Sequence, residues 1–72
     1  MNTKLLQSYR ESKRITLLEM ARELGLKTAG GYARIEKGEV KLKAEQVPII
    51  ANKLDLSLKE VVALFIEKEE VK

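Results

Sequence analysis

Apolar positions along the chain recur at helical rather than strand spacing, in short bouts punctuated by glycine. Leu5, Leu6, Tyr9 and Ile15 predict a first helix from about Thr3 to Lys13. Thr16 and Glu19 then form a T-x-x-E capping box: the threonine hydroxyl accepts from the Glu19 amide and the glutamate accepts the threonine amide in return. A second helix therefore begins at Leu17, and Gly25, free to take positive φ, ends it. The third helix is expected from about Ala29 to Lys37, with Tyr32 and Ile35 inward and Gly38 closing it. Val47, Ile50, Ala51 and Leu54, at i, i+3, i+4 and i+7, mark a fourth helix starting near Ala44. Pro48 falls near its first turn, where a missing amide donor costs least. Ser57 and Glu60 are a second capping box, opening a fifth helix that carries Leu58, Val61, Val62, Leu64, Phe65 and Ile66. Strand signals are absent. The expected fold is all-α, a compact five-helix bundle in one domain, with its core at about residues 4–66 and a fraying tail at 67–72.

Composition narrows what such a bundle does. A chain of 72 residues buries only about 60% of its unfolded surface, which leaves no material for a deep enzyme pocket. Cysteine and histidine are both missing, and with them disulfides, thiolate nucleophiles, imidazole bases and the usual zinc ligands. The acids are spread along exposed helix faces, and the nearest pair, Glu69-Glu70, lies in the tail. No catalytic residue, metal site or cofactor is expected. No apolar run approaches the roughly 20 residues that span a bilayer, and Met1-Asn2-Thr3-Lys4 leads into mixed sequence. The expectation is a cytoplasmic protein with neither a membrane nor a small-molecule partner. The net charge of +3 is uneven: residues 1–43 carry +5 and residues 44–72 carry −2. That asymmetry suggests an anion-facing N-terminal half, although a small helical chain that is 35% charged also shows such imbalance by chance.

Two short helices joined by a glycine-containing turn, with small Ala21 at the position where they cross closely, form a helix-turn-helix arrangement. A-x-x-L-G alone is weak, but further motifs accompany it. Arg10-Glu11-x-Lys13, Thr16-x-x-Glu19-Met-Ala21, Arg34-Ile35-Glu36-Lys37-Gly38 and Ser57-Leu58-Lys59-Glu60-Val61 stand in the order of one family. Across residues 4–66 the chain resembles the Cro/λ-repressor type helix-turn-helix family, often called the XRE family. The resemblance implies that the third helix enters the major groove of operator DNA and that its first turn, Thr28 to Ala33, faces the base edges.

At that turn the family pattern is broken. Members usually carry Arg, Gln, Ser or Thr there, whereas this chain has Ala29, Gly30, Gly31 and Ala33, none with a side-chain donor or acceptor. Lys27, Thr28 and Arg34 are the plausible polar contacts that stay. After the capping threonine, where the family commonly has a phosphate-binding glutamine and a polar residue, stand Leu17 and Leu18. The spacing from Gly25 to Arg34 is one residue longer than the commonest family pattern. Three accounts compete. The leucines tuck inward and the glycines admit close backbone packing. Alternatively, the small face fits closely to DNA, with Lys27, Arg34, Lys37, Lys41 and Lys43 on phosphates and thymine methyls on Ala29 or Ala33. On the third account, Leu17 and Leu18 beside the Ala/Gly surface receive another protein.

The basic residues have a bland reading too, since Glu36 and Glu39 lie among Lys37, Lys41 and Lys43 in what could be a solvated mixed-charge loop. Arg34 could instead pair with a carboxylate of the first or second helix. In the fifth helix Leu64, Phe65 and Ile66 cannot all face one core, which makes Leu64 and Phe65 candidate contacts of a homodimer. Two functions follow from the resemblance and its departures. One is a Cro/repressor-type transcriptional regulator of a phage-like switch, partnered by double-stranded operator DNA. The other is an antirepressor that binds a related repressor protein through the degenerate face.

Overall fold

The computed structural model describes residues 1–66, and the tail expected at 67–72 lies outside them. Helix α1 spans Thr3–Ser12, α2 Leu17–Glu23, α3 Ala29–Glu36, α4 Val47–Lys53 and α5 Leu58–Phe65. Each start is fixed by a local device. Asn2 caps α1, its side chain accepting from the Leu5 amide at 3.0 Å. Both capping boxes form: Thr16 and Glu19 exchange bonds of 3.0 and 2.8 Å, and Ser57 and Glu60 bonds of 3.2 and 2.8 Å.

The first four helices stop in the same way. In each, a residue at positive φ turns the chain, and the amide after it returns to a carbonyl in the last turn. The turning residues are Arg14 at φ 58°, Gly25 at 74°, Gly38 at 81° and Asp55 at 53°. The returning bonds run from Ile15 to Arg10, Leu26 to Ala21, Glu39 to Arg34 and Leu56 to Ala51, at 2.8–3.2 Å. In three of the four the returning residue is apolar and folds onto the core, so the stop signal also sets the angle of the following segment.

The core is Leu6, Met20, Ala21, Tyr32, Ile35, Ile50, Leu54 and Leu64, drawn from all five helices. Ala21 is fully buried where α2 packs on α3, the most extensive helix pair in the molecule. The N-terminus is tied to the last helix by the Asn2 amide donating to the Leu64 carbonyl at 2.7 Å.

Two boundaries differ from the sequence expectation. The turn expected to open the fourth helix at Ala44 is a 3₁₀ turn, Ala44–Gln46, and α4 proper starts at Val47. Pro48 is the cause: it has no amide to give the Ala44 carbonyl, which accepts instead from Val47, three residues on. Ile66 lies past the end of α5 in an extended conformation, with ψ 113°, and is not part of its surface stripe.

Candidate nucleic-acid interface

Helix α3 is held from both ends and from behind. At its start the Thr28 hydroxyl oxygen accepts from the Gly31 amide at 3.1 Å, so Thr28, expected as a free polar contact, is also the N-cap. Behind, Tyr32 and Ile35 enter the core as expected. Glu36 enters with them and meets Arg10 of α1 in a two-pronged pair, Nε to Oε2 at 2.7 Å and Nη2 to Oε1 at 3.1 Å. The third prong of Arg10, Nη1, donates to the Ile15 carbonyl at 2.8 Å. Bonding to Glu36 outweighs the cost of burial and holds the guanidinium above its already high ordinary pKa. The Tyr32 hydroxyl is buried close to Glu36 without a well-formed hydrogen bond, and burial first, then the carboxylate, raises it well above the ordinary phenol range.

The alternative reading of Arg34, a pair with a carboxylate of the first or second helix, is not found: its side chain is exposed and forms no ion pair among the described residues, and the pair that joins α1 to α3 is the Arg10–Glu36 clamp. The signal was present in the spacing. Arg10 falls four residues after the buried Leu6, and Glu36 four after Tyr32, which puts both on core-facing stripes. The pairing also changes the charge of the loop, because Glu36 no longer offsets its neighbours. Lys27, Arg34, Lys37, Lys41 and Lys43 are all exposed and without an ion pair among the described residues, with Glu39 as the acid left among them.

The outward face of α3 is partly as expected. Gly30 is exposed, while Ala29, Gly31 and Ala33 are half-buried. The close backbone packing proposed for the glycines is not found inside the chain. A Cβ on Gly30 would come no nearer than 3.8 Å to the Thr28 hydroxyl, and one on Gly31 no nearer than 3.6 Å to the same atom and 3.7 Å to Leu26. Those are ordinary contacts, so the fold itself has no need of either glycine. The two leucines of α2 part company. Leu17 is half-buried against the core and shares a shallow cleft with Gln7, Arg10, Ala33, Glu36 and Lys37, whereas Leu18 stands 39% exposed.

The dimer contacts expected on α5 also divide. Leu64 is 2% exposed and belongs to the core, which removes it from any surface; Phe65 is 44% exposed. At about 100° per residue Val61 and Leu64 turn inward, and Phe65 sits at the margin of the outer face. Among the described residues no cluster of metal-ligating side chains occurs, and no helix is long and apolar enough to cross a membrane.

A family model described as helix-turn-helix, of the XRE/λ-repressor type, matches residues 6–61, from Leu6 in α1 into α5. No curated protein and no solved structure matches the chain.

Proposed function

Because the chain belongs to the helix-turn-helix family of DNA-binding regulators, we propose that it is a Cro/repressor-type transcriptional regulator of a phage-like genetic switch. In this reading α3 lies in the major groove of an operator. The observation that carries it is the inward turn of Glu36. With that acid tied to Arg10, Lys27 before α3, Arg34 in its last turn and Lys37, Lys41 and Lys43 after it stay exposed and without an ion pair among the described residues, and in this reading they meet phosphates along a groove. Thr28 keeps its hydroxyl hydrogen for a base or phosphate, since its oxygen is the atom used as cap. Ala29, Gly30 and Ala33 present no polar group, so base discrimination in this reading comes from close approach and from thymine methyl groups rather than from bidentate pairs.

The test is a fluorescence-anisotropy titration against DNA from the gene's own upstream region and against scrambled DNA, at about 50 and 200 mM salt. Tight binding that prefers the upstream sequence at both salts is expected. Weak, indiscriminate binding that vanishes at the higher salt would overturn the reading.

A second reading, an antirepressor that binds a related repressor, is favoured by one observation: exposed Leu18 lies on the same helix-turn-helix unit as glycines the fold does not require. Because Leu17 is half-buried against the core, Leu18→Glu is the cleaner probe. On this reading it abolishes capture of the repressor while leaving the fold intact, and unchanged capture would sink the idea.

A further inference from the structure

On α3 the buried residues Tyr32, Ile35 and Glu36 define one side, and Gly30 sits at the middle of the side opposite. Ala33 lies roughly 60° from Gly30 around the helix in one direction, and Arg34 roughly 40° in the other. Two chemistries therefore meet on this face. Gly30 and Ala33 carry no side-chain donor or acceptor, and a Cβ added at Gly30 would meet nothing closer than the Thr28 hydroxyl oxygen at 3.8 Å. Between them they leave an apolar recess on the scale of one methyl group. Arg34 beside it is exposed, and no carboxylate among the described residues engages its fork of donors.

We infer that this face recognises the 5-methyl group of a pyrimidine next to a guanine, the methyl against Gly30 and Ala33 and the guanine under Arg34. The inference rests on the DNA-binding reading and names the chemical group that is read. In the major groove guanine presents two acceptors, O6 and N7, that match the arginine fork, and thymine presents a 5-methyl for apolar contact. Gly30 and Arg34 are four residues apart, about 6 Å along the helix, which lies between one and two base-pair rises of roughly 3.4 Å. One face thus covers both groups on neighbouring pairs. Thymine and cytosine otherwise differ there by an O4 acceptor against an N4 donor, and Gly30 and Ala33 have no group that tests the difference. Only the methyl counts. Because 5-methylcytosine carries the same methyl at the same ring position, a TpG step and a methylated CpG step are one ligand for this face, and methylation of a CpG strengthens binding to it.

Competition anisotropy with the full chain tests this. Labelled upstream DNA is displaced by unlabelled copies of the fragment made with thymine or with uracil, and by a synthetic duplex of CpG steps, plain or 5-methylated. Thymine and uracil copies carry the same phosphates and the same pairing, so only the methyls differ. Taking one methyl out of water is worth roughly fourfold in affinity. The uracil copy should therefore compete at least about fourfold less well than the thymine copy, and the methylated duplex at least about fourfold better than the plain one. In Gly30→Asn, whose side chain fills the recess, both differences should shrink to about twofold or less. Circular dichroism should show that variant folded, since position 30 is exposed and has room for a Cβ. Equal competition by the thymine and uracil copies, with the preference for upstream over scrambled DNA retained, overturns this inference and leaves the DNA reading standing. Absence of that preference in ordinary DNA overturns both. No gain from CpG methylation, or discrimination undiminished in folded Gly30→Asn, also overturns the inference, because the methyl is then not read at this recess.

Discussion

Replacing Gly30 and Gly31 by alanine should move stability and DNA binding in opposite directions. A helical glycine costs about 0.5–1 kcal/mol relative to alanine, because the unfolded chain loses more freedom on folding. Both positions lie in the first turn of α3, where fewer intrahelical bonds depend on them, so the lower figure applies and the double variant should gain about 1 kcal/mol. Nothing in the fold opposes it: the nearest atoms to the added Cβ groups are 3.8 Å from position 30 and 3.6 Å from position 31. For a domain of this size the gain corresponds to a Tm about 4–8 °C higher. The methyl added at exposed Gly30 projects from the face proposed to meet DNA. Forcing an extra methyl into a close contact costs about 1–3 kcal/mol, which weakens operator binding roughly 5- to 150-fold. Thermal unfolding by circular dichroism and anisotropy against upstream DNA measure the two effects separately. A lower Tm would mean that the glycines serve a contact inside the fold. A higher Tm with unchanged DNA affinity would mean that α3 does not meet its ligand through these residues, and would refute the close-fit argument.

Further outcomes follow from the clamp, the caps and the turns. Glu36→Gln leaves the Arg10 charge, buried at 8% exposure, with only the exposed Glu11 carboxylate at 3.6 Å in place of its two-pronged partner and should cost about 3 kcal/mol in urea unfolding; the double variant Arg10→Met/Glu36→Met should recover most of it, and equal loss in both would refute the pairing argument. The Thr16 amide and hydroxyl hold the Glu19 carboxylate below its ordinary value, so this cap contributes stability above the unfolded-state pKa and loses it as pH falls through the lower folded one. The Thr16 amide proton shift should accordingly titrate with a midpoint below the ordinary 4.5, and a midpoint at or above that value would contradict the cap. Arg14→Gly and Asp55→Gly relieve non-glycine residues at φ 58° and 53° and should each stabilise by about 1 kcal/mol, whereas loss of stability in either would show that the side chain does more than turn the chain.

The fold was legible where a single residue type carries the signal. Thr16 with Glu19, and Ser57 with Glu60, announce helix starts because few other side chains reach back to a free amide. Gly25 and Gly38 announce stops because glycine alone takes positive φ without cost. The two other stops were invisible for the same reason, since Arg14 and Asp55 occupy that region against preference and are held there by the returning bonds of Ile15 and Leu56. The opening of α4 was misread by one turn because apolar periodicity at Val47, Ile50 and Leu54 locates a face, while the missing amide of Pro48 decides which hydrogen bonds precede it.

The site was less legible because its character depends on which side chains face each other across the bundle. Counted along the chain, Lys37, Lys41 and Lys43 are diluted by Glu36 and Glu39, and a solvated mixed loop is a fair description. Counted by face, Glu36 belongs to the interior, where Arg10 of a helix 26 residues earlier neutralises it. The same interaction therefore does two things at once. It fastens α3 to α1 by a charge pair whose breaking would strand a buried ion, and it removes one of the two acids from the rim, leaving Glu39 as the acid among five exposed basic residues. A chain that lost this pair would lose rigidity at the helix proposed to meet DNA and, if Glu36 swung outward, part of the positive border as well. DNA affinity should thus fall further in Arg10→Met, which frees Glu36, than in the double variant Arg10→Met/Glu36→Met, which has no acid to release. Equal affinities in the two, at matched fractions folded, would show that the border's charge does not depend on the clamp.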